Sequence, residues 1–145
     1  MYKHILIATD GSELAEKAVA HGLDLAKTLS ARVTVVTVSE PMWSTMPGEM
    51  AIAFPHDEYA KSTAAAASRI LAVAAGLAKQ KGINVTAKHL ADVFPAEGIV
   101  TAAQEGGCDL IVMASHGRRG LAKLVLGSQA TKVVTNSTVP VLIYR

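Results

Sequence analysis

The chain has 145 residues, of which 50% are hydrophobic and 4% aromatic, and its formal net charge is +2. This size predicts a single domain, residues 1–145, and the scattered basic residues argue against a nucleic-acid partner. The single cysteine, Cys108, excludes an intramolecular disulfide. The N-terminus lacks a signal-peptide pattern and no apolar run is long enough to cross a bilayer. We therefore expect a cytoplasmic protein with no membrane partner.

Strand and helix patterns alternate along the chain. Short β-branched, apolar runs predict strands at residues 4–9, 31–39, 83–91, 109–114 and 139–145. Helical spacing predicts a helix that begins at Glu13 with Ser12 as its N-cap, and further helices at 58–80, 95–105 and 128–136. This alternation predicts an α/β fold: a single doubly wound, five-stranded parallel sheet. For such a five-stranded sheet we take the strand order to be 3-2-1-4-5.

Residues 40–57 fit neither period. This stretch contains three prolines and three methionines, which predicts a long loop or lid. We expect Met42, Trp43, Met46 and Met50 to form an exposed apolar lid, with packing on the protein or on a partner as the alternative.

Two polar, glycine-bearing connections follow the first and fourth strands: "TDGS" (9–12) and "ASHGRRGLAKLVLGS" (114–128). In a sheet of this order they meet where the strand order reverses, which is where ligands bind. Gly117 and Gly120 are expected to turn with positive φ and to let backbone amides approach an anion. Gly127 and Ser128 begin a helix whose free amides, dipole and Ser128 hydroxyl suit phosphate, with Ser128 also serving as a cap.

Other side chains at these corners have weaker assignments. Asp10 is expected to contact a ribose, or to help hold a divalent cation on phosphates. Arg118, Arg119 and Lys123 add positive charge without an assigned contact. His116 receives only a contact role, because no paired carboxylate or nucleophile accompanies it. Neither the P-loop string nor the dinucleotide glycine fingerprint is present.

Three stretches together resemble the universal stress protein family: "KHILIATDGSELAEKA", "DLIVMASHGRRGLAKLVLGSQATKVV" and "VPVLIYR". ATP-binding members of that family carry G-x-x-G, nine residues, then G-[ST]. This chain keeps the spacing from Gly117 to Gly127-Ser128, but Ala114 stands in place of the first glycine. We expect the added methyl group to weaken ATP binding about tenfold.

The resemblance implies a Rossmann-like fold of the adenine nucleotide alpha hydrolase-like class, and it implies a homodimer through residues 139–145. It also implies a regulatory protein that binds ATP, with magnesium, and has at most slow ATP hydrolysis. The nucleotide would contact residues at the ends of the first, second and fourth strands and at the start of the last helix: Ala8, Thr9, Asp10, Val38, Met113, Ala114, His116, Gly117, Gly127, Ser128 and Gln129.

Three alternatives remain open from the sequence. The protein is a non-nucleotide interaction module of the same fold, a binder of AMP or cyclic AMP, or an enzyme of phosphoryl or adenylyl transfer. The enzyme is the least supported, because Asp10 is the only obvious metal candidate.

Overall fold

Five parallel strands form one sheet in the computed structural model, which describes residues 1–117 and 125–145. The strands lie in the order β3-β2-β1-β4-β5, and every pairing is parallel. The predicted doubly wound α/β fold and its strand order are therefore confirmed. In chain order the elements are β1 (His4–Ala8), α1 (Glu13–Leu29), β2 (Arg32–Ser39), α2 (Met42–Thr45), α3 (Gly48–Ala53), α4 (His56–Gln80), β3 (Val85–Ala91), α5 (Pro95–Glu105), β4 (Leu110–Ala114), α6 (Ser128–Asn136) and β5 (Val141–Tyr144).

Helices cover both faces of the sheet, so the central strands are apolar on both sides. All five residues of β1 and of β4 are buried. On one face Ile5 and Ile7 pack with residues of α1 and α4, and on the other Leu6 and Ala8 pack with residues of α5 and α6. The observed strands start or end one or two residues inside the predicted ranges.

The first helix follows the sequence prediction closely. The Ser12 hydroxyl accepts a hydrogen bond from the Ala15 amide at 3.3 Å, which makes Ser12 the N-cap. Ala18, Gly22 and Ala26 are buried and lie four residues apart, so they share one face of the helix. Their small side chains let the helix approach the strands closely.

The prediction of a loop over residues 40–57 is wrong in part. Two short helices, α2 and α3, occupy most of this stretch, and α4 begins two residues before the predicted start. The cause lies in the prolines: Pro41, Pro47 and Pro55 are the N-cap residues of α2, α3 and α4. A helix start tolerates proline because no amide is needed there, so these residues begin helices rather than interrupt them.

The prediction of an exposed apolar lid is wrong for one of its four residues, Met42. Met42 is only 3% exposed, because it begins α2 on the inner side of this stretch. Trp43 and Met50 are 67% and 57% exposed, as expected, and Met46 is half-buried. Among the helices of the described residues, none is long and apolar enough to cross a membrane.

Candidate functional site

A cavity of about 460 Å³ opens at the carboxyl ends of β1, β2 and β4. Its volume lies within the range of small-molecule sites. The cavity sits where the strand order reverses between β1 and β4. All the residues that the sequence assigned to a nucleotide line it: Ala8, Thr9, Asp10, Val38, Met113, Ala114, His116, Gly117, Gly127, Ser128 and Gln129. Their binding of a nucleotide stays a prediction.

The turn after β1 fixes the position of Asp10. Gly11 has a φ of 76°, a conformation that glycine adopts without strain, and this reverses the chain into α1. Asp10 Oδ1 accepts a hydrogen bond from the Ser12 amide at 2.9 Å. The carboxylate is therefore held at the edge of the cavity by the same turn that begins the helix.

Gly117 acts through close approach, not through an unusual backbone angle. The expectation of a positive φ is wrong for Gly117, since the positive-φ glycines of the described residues are Gly11, Gly82 and Gly107. A Cβ at position 117 would instead overlap Asp10 Oδ2. The backbone after β4 passes directly against the Asp10 carboxylate, so a Cβ at position 117 would displace that side chain.

The N-terminus of α6 offers three unpaired amides to the cavity. Ser128, Gln129 and Ala130 all line it, and within the described residues none of their amides donates a hydrogen bond. The first intrahelical bond runs from the Thr131 amide to the Gly127 carbonyl. Unpaired amides at a helix N-terminus, together with the helix dipole, attract anions.

Gly127, not Ser128, is the N-cap of α6, so the predicted capping role of Ser128 is wrong. The Gly127 amide donates to the Ser115 carbonyl at 2.8 Å, which joins the two ends of the connection between β4 and α6. A Cβ at position 127 would lie 3.0 Å from that carbonyl oxygen. The glycine therefore allows this tight closure.

Two further predicted contacts have protein partners. Gln129 Oε1 accepts a hydrogen bond from the Ala96 amide at 3.3 Å, which ties α6 to the first turn of α5. His116 Nδ1 lies 3.1 Å from the hydroxyl of buried Ser115. The corner residues Arg118, Arg119, Gly120 and Lys123 lie outside the described residues.

Sequence reasoning missed one wall of the cavity, which α4 and the segment after β2 supply. Residues on one face of α4 and polar residues at and beyond the carboxyl end of β2 line the same space. The signal in the sequence is the helical spacing of the α4 residues. The missed lining residues include Thr37, Ser39, Glu40, Thr45, Thr63, Ala66, Ala67 and Ile70.

Hydrogen bonds hold part of this wall in place. The Tyr59 hydroxyl on α4 donates to the Glu40 carbonyl at 2.6 Å, and Ser39 Oγ lies 2.7 Å from His89 Nε2 on β3. The two hydrogen bonds connect the carboxyl end of β2 to α4 and to β3. The position of the wall therefore depends on tertiary contacts in addition to the helical spacing of the α4 residues.

The acidic side chains of the cavity bear on whether it could hold a metal ion. Asp10 and Glu40 are the carboxylates among its lining residues. Within residues 1–117 and 125–145, no group of three or more histidine, cysteine, aspartate or glutamate side chains is placed to hold a metal ion. A cation at this site would need ligands from a bound phosphate as well as from Asp10.

The sequence and the fold are similar to those of known proteins. The model of the universal stress protein family matches residues 1–145. Universal stress protein YxiE of Bacillus subtilis is 34% identical over 149 residues, which cover 100% of both chains.

Solved structures show the same architecture. The structure of MJ0577, a universal stress protein of Methanocaldococcus jannaschii, is 30% identical, with a TM-score of 0.80, and the match covers 99% of this chain and 96% of that chain. A universal stress protein solved in complex with cAMP is 26% identical, with a TM-score of 0.74 and coverage of 99% and 97%. The sequence, the sheet order and these likenesses agree: the chain belongs to the universal stress protein family.

Proposed function

We propose that this protein binds an adenine nucleotide, ATP in the first place, and acts as a regulator in a stress response. One observation carries the proposal. The unpaired amides of Ser128, Gln129 and Ala130 line the same cavity as the carboxylate of Asp10. An anion-binding helix end and a ribose-binding carboxylate in one cavity fit the two polar parts of a nucleotide.

The apolar part of the cavity suits the base. Ala8, Val38 and Met113 line it on the sheet side, and Ala67 and Ile70 line it on the side of α4. A planar adenine between these side chains would exclude water from both of its faces. The phosphates would then extend towards the start of α6, where glycine keeps the backbone open.

Magnesium belongs to the proposal as a companion of the phosphates. Asp10 lies beside Gly117 at the mouth of the connection that follows β4, and it is the acidic side chain that the sequence assigned to the metal. Such an ion, when bound, neutralises phosphate charge. We also propose a cytoplasmic location, because that compartment supplies ATP.

We propose a regulator without fast turnover. In the described part of the chain, His116 has Ser115 as its hydrogen-bond neighbour, and no carboxylate orients it as a base. Phosphate release from ATP is therefore expected to be slow compared with that of dedicated ATPases.

A second candidate is a cyclic AMP or AMP binder. The likeness to the universal stress protein solved with cAMP supports it. The Ala114 methyl group also favours a smaller or shifted nucleotide, because Ala114 lines the cavity. The two candidates share the adenine pocket and differ in the number of phosphates.

Isothermal titration tests the proposal. The purified protein is first checked for nucleotide carried through purification, and is then titrated with ATP and magnesium, AMP and cyclic AMP in parallel. We expect micromolar binding of ATP, and tighter binding of cyclic AMP or AMP would select the second candidate. If none of the three nucleotides gave a heat of binding, the result would contradict nucleotide binding and would leave the interaction module as the function.

The proposal includes a homodimer through β5. This strand is an edge of the sheet, and Pro140 and Tyr144 turn their carbonyls towards β4. Successive residues of a strand point their backbone groups to opposite sides, so the amides of Val141 and Ile143 face outward, where they can pair with a second copy.

We expect Ile143→Lys to sediment as a monomer and Val134→Lys on α6 to remain dimeric. A monomeric parent protein would contradict the proposed dimer.

A further inference from the structure

The residues of β2 alternate between the two faces of the sheet. Val33 and Val35 pack in the cluster that contains residues of α1 and α4, whereas Val36 packs in the cluster on the opposite face. Successive strand residues point to opposite faces, so Thr37 and Ser39 continue the row of Val33 and Val35 on the side of α4. Both residues line the cavity. The carboxyl end of β2 therefore presents two hydroxyl groups in a row that is otherwise apolar.

The Thr37 hydroxyl has no hydrogen-bond partner among the described residues, although Thr37 is only 3% exposed. The hydroxyl is not sealed inside the protein, because among the described side chains His4 Nδ1 is the polar atom that is both enclosed and unpaired. A buried hydroxyl without a partner is destabilising, and a ligand that forms a hydrogen bond with it removes that cost. The Thr37 hydroxyl is therefore a contact for a polar group in the cavity.

Ser39 is held beside Thr37 by a residue of the neighbouring strand. Its Oγ lies 2.7 Å from Nε2 of His89, which pairs in register with Thr37. A serine hydroxyl has one hydrogen to donate and two lone pairs. Whether Ser39 or His89 donates this hydrogen bond, at least one lone pair of Ser39 Oγ remains. Ser39 can therefore accept a further hydrogen bond from a ligand.

The polar groups near this pair favour a ligand group that donates. Glu40 follows Ser39 and also lines the cavity, and a carboxylate accepts hydrogen bonds without donating any. No lysine or arginine occurs among the described lining residues. Thr37 and Ser39 leave the strand about 6.6 Å apart, and an amino group between them could donate one N–H to each at about 2.9 Å. This end of the cavity therefore suits an amino group better than a carbonyl.

We propose that the hydroxyls of Thr37 and Ser39 bind the 6-amino group of the adenine base and thereby select the base. This inference rests on the proposed nucleotide site and adds the side chains that recognise the edge of the ring. The apolar lining contacts the faces of the base, which all purines share. A buried hydroxyl that pairs with an amino group discriminates against a base that lacks this group, because the hydroxyl is then left unpaired.

The triphosphate of purine riboside, which is ATP without its 6-amino group, is the probe. Isothermal titration in the presence of magnesium compares the two ligands, and we expect the probe to bind about tenfold more weakly than ATP. If the protein prefers cyclic AMP, the cyclic phosphate of purine riboside takes the place of the triphosphate. Equal binding of the two ligands would overturn this inference and leave nucleotide binding intact, whereas absence of binding by any nucleotide would overturn both.

Two variants locate the contact through double-mutant cycles. Thr37→Val and Ser39→Ala should each weaken ATP binding about fivefold, and should leave binding of purine riboside triphosphate within about twofold of the parent. The matched controls, Thr86→Val on β3 and Ser68→Ala on α4, remove exposed hydroxyls outside the cavity and should leave both affinities unchanged. Equal losses of affinity for the two ligands would show that the hydroxyls do not contact the amino group.

Stability without nucleotide separates base recognition from a structural role. Thr37→Val keeps the shape of the side chain and removes an unpaired buried hydroxyl, so the variant should unfold at the same urea concentration as the parent or at a higher one. If the hydroxyl were structural, its loss would lower the urea midpoint and would weaken the binding of both ligands alike. That result would overturn the proposal.

Discussion

At the scale of single residues, two glycines shape the cavity for different physical reasons. Gly11 supplies a left-handed backbone angle that turns the chain from β1 into α1. Gly117 supplies space, because a Cβ there would overlap the Asp10 carboxylate. Gly117, unlike Gly11, is required by a side chain more than a hundred positions away in sequence. Substitution of Gly117 therefore acts directly on Asp10, the proposed ribose contact.

Gly117→Ala should therefore weaken nucleotide binding with little loss of stability. The new methyl group forces Asp10 out of the position that the Ser12 amide holds, while the backbone at 117 accepts alanine without strain. We expect about tenfold weaker ATP binding, measured by isothermal titration. Gly76→Ala is the matched control, since its Cβ meets no atom within 4 Å on the exposed side of α4. Similar affinity of both variants would show that the Asp10 position is irrelevant to binding.

The variant Ala114→Gly tests whether the departure from the family motif at this position affects ATP binding. Its side chain packs with Ala15 and Ala18 of α1 and also lines the cavity. We expect Ala114→Gly to bind ATP up to about tenfold more tightly and to lower the free energy of unfolding by about 1 kcal/mol. Ala91→Gly, at the exposed end of β3, controls for the backbone effect alone. Unchanged ATP affinity in Ala114→Gly would mean that the methyl group does not narrow the site.

At the scale of elements, the segment after β2 joins two features of the molecule. Glu40 and Thr45 line the cavity, while Trp43 and Ile52 face solvent. The hydroxyl of Tyr59 on α4 donates to the Glu40 carbonyl across nineteen positions of sequence. A single side chain on a long helix therefore holds the base of this segment against the wall of the cavity.

Tyr59→Phe should loosen this segment without unfolding the protein. The variant loses one hydroxyl and its 2.6 Å hydrogen bond, which corresponds to about 1 kcal/mol of stability. We expect lower fluorescence anisotropy of Trp43, the single tryptophan, and faster amide exchange over residues 40–45. Tyr2→Phe is the control, because the Tyr2 hydroxyl makes no hydrogen bond to any described residue. Identical anisotropy in the two variants would assign the order of the segment to other contacts.

At the scale of the whole molecule, stability should depend on pH through His4 in β1. Its Nε2 lies 2.8 Å from Thr34 Oγ1, and burial, followed by the nearby Arg32 guanidinium, lowers the pKa of His4 below its usual value. The unfolded chain then binds more protons than the folded protein between the two pKa values, so stability falls as pH decreases from about 6.5. Above that pH His4 is neutral in both the folded and the unfolded protein, so it no longer lowers the free energy of unfolding.

Unfolding in urea at about pH 7.5 and about pH 5.5 measures this effect. The parent protein should be less stable at the lower pH. His4→Gln keeps a hydrogen-bonding group near Thr34 but does not titrate, so it should lose less stability over the same interval. An equal loss in both proteins would place the pH dependence on other groups.

Much of the fold could be predicted because each central element carries its own period. The buried strand "LIVMA" and the capped helix after Ser12 are encoded locally, and the rule of right-handed crossovers reduces the number of possible strand orders. The region from Glu40 to Asp57 could not be predicted in the same way. A proline in the sequence carries the same signal whether it breaks a helix or begins one, and here Pro41 and Pro47 begin helices.

The cavity was predictable on the side that the strand ends form, because topology brings the loops after β1 and β4 together. The role of Gly117 was not, since its need for space arises from Asp10 across the sheet. The α4 wall was missed for a similar reason: Thr63 and Ala67 face the cavity only because the long helix packs across β2 and β3.

Amide chemical shifts during an ATP titration test the central claim most directly. In ¹⁵N-labelled protein with magnesium present, we predict saturable shifts of the Ser128, Gln129 and Ala130 amides, because these unpaired donors would take up the phosphates. Gly11 and Gly117, beside Asp10, should shift at the same ATP concentrations. Shifts that leave the start of α6 unchanged, or that appear only at other surfaces, would contradict a nucleotide site in this cavity.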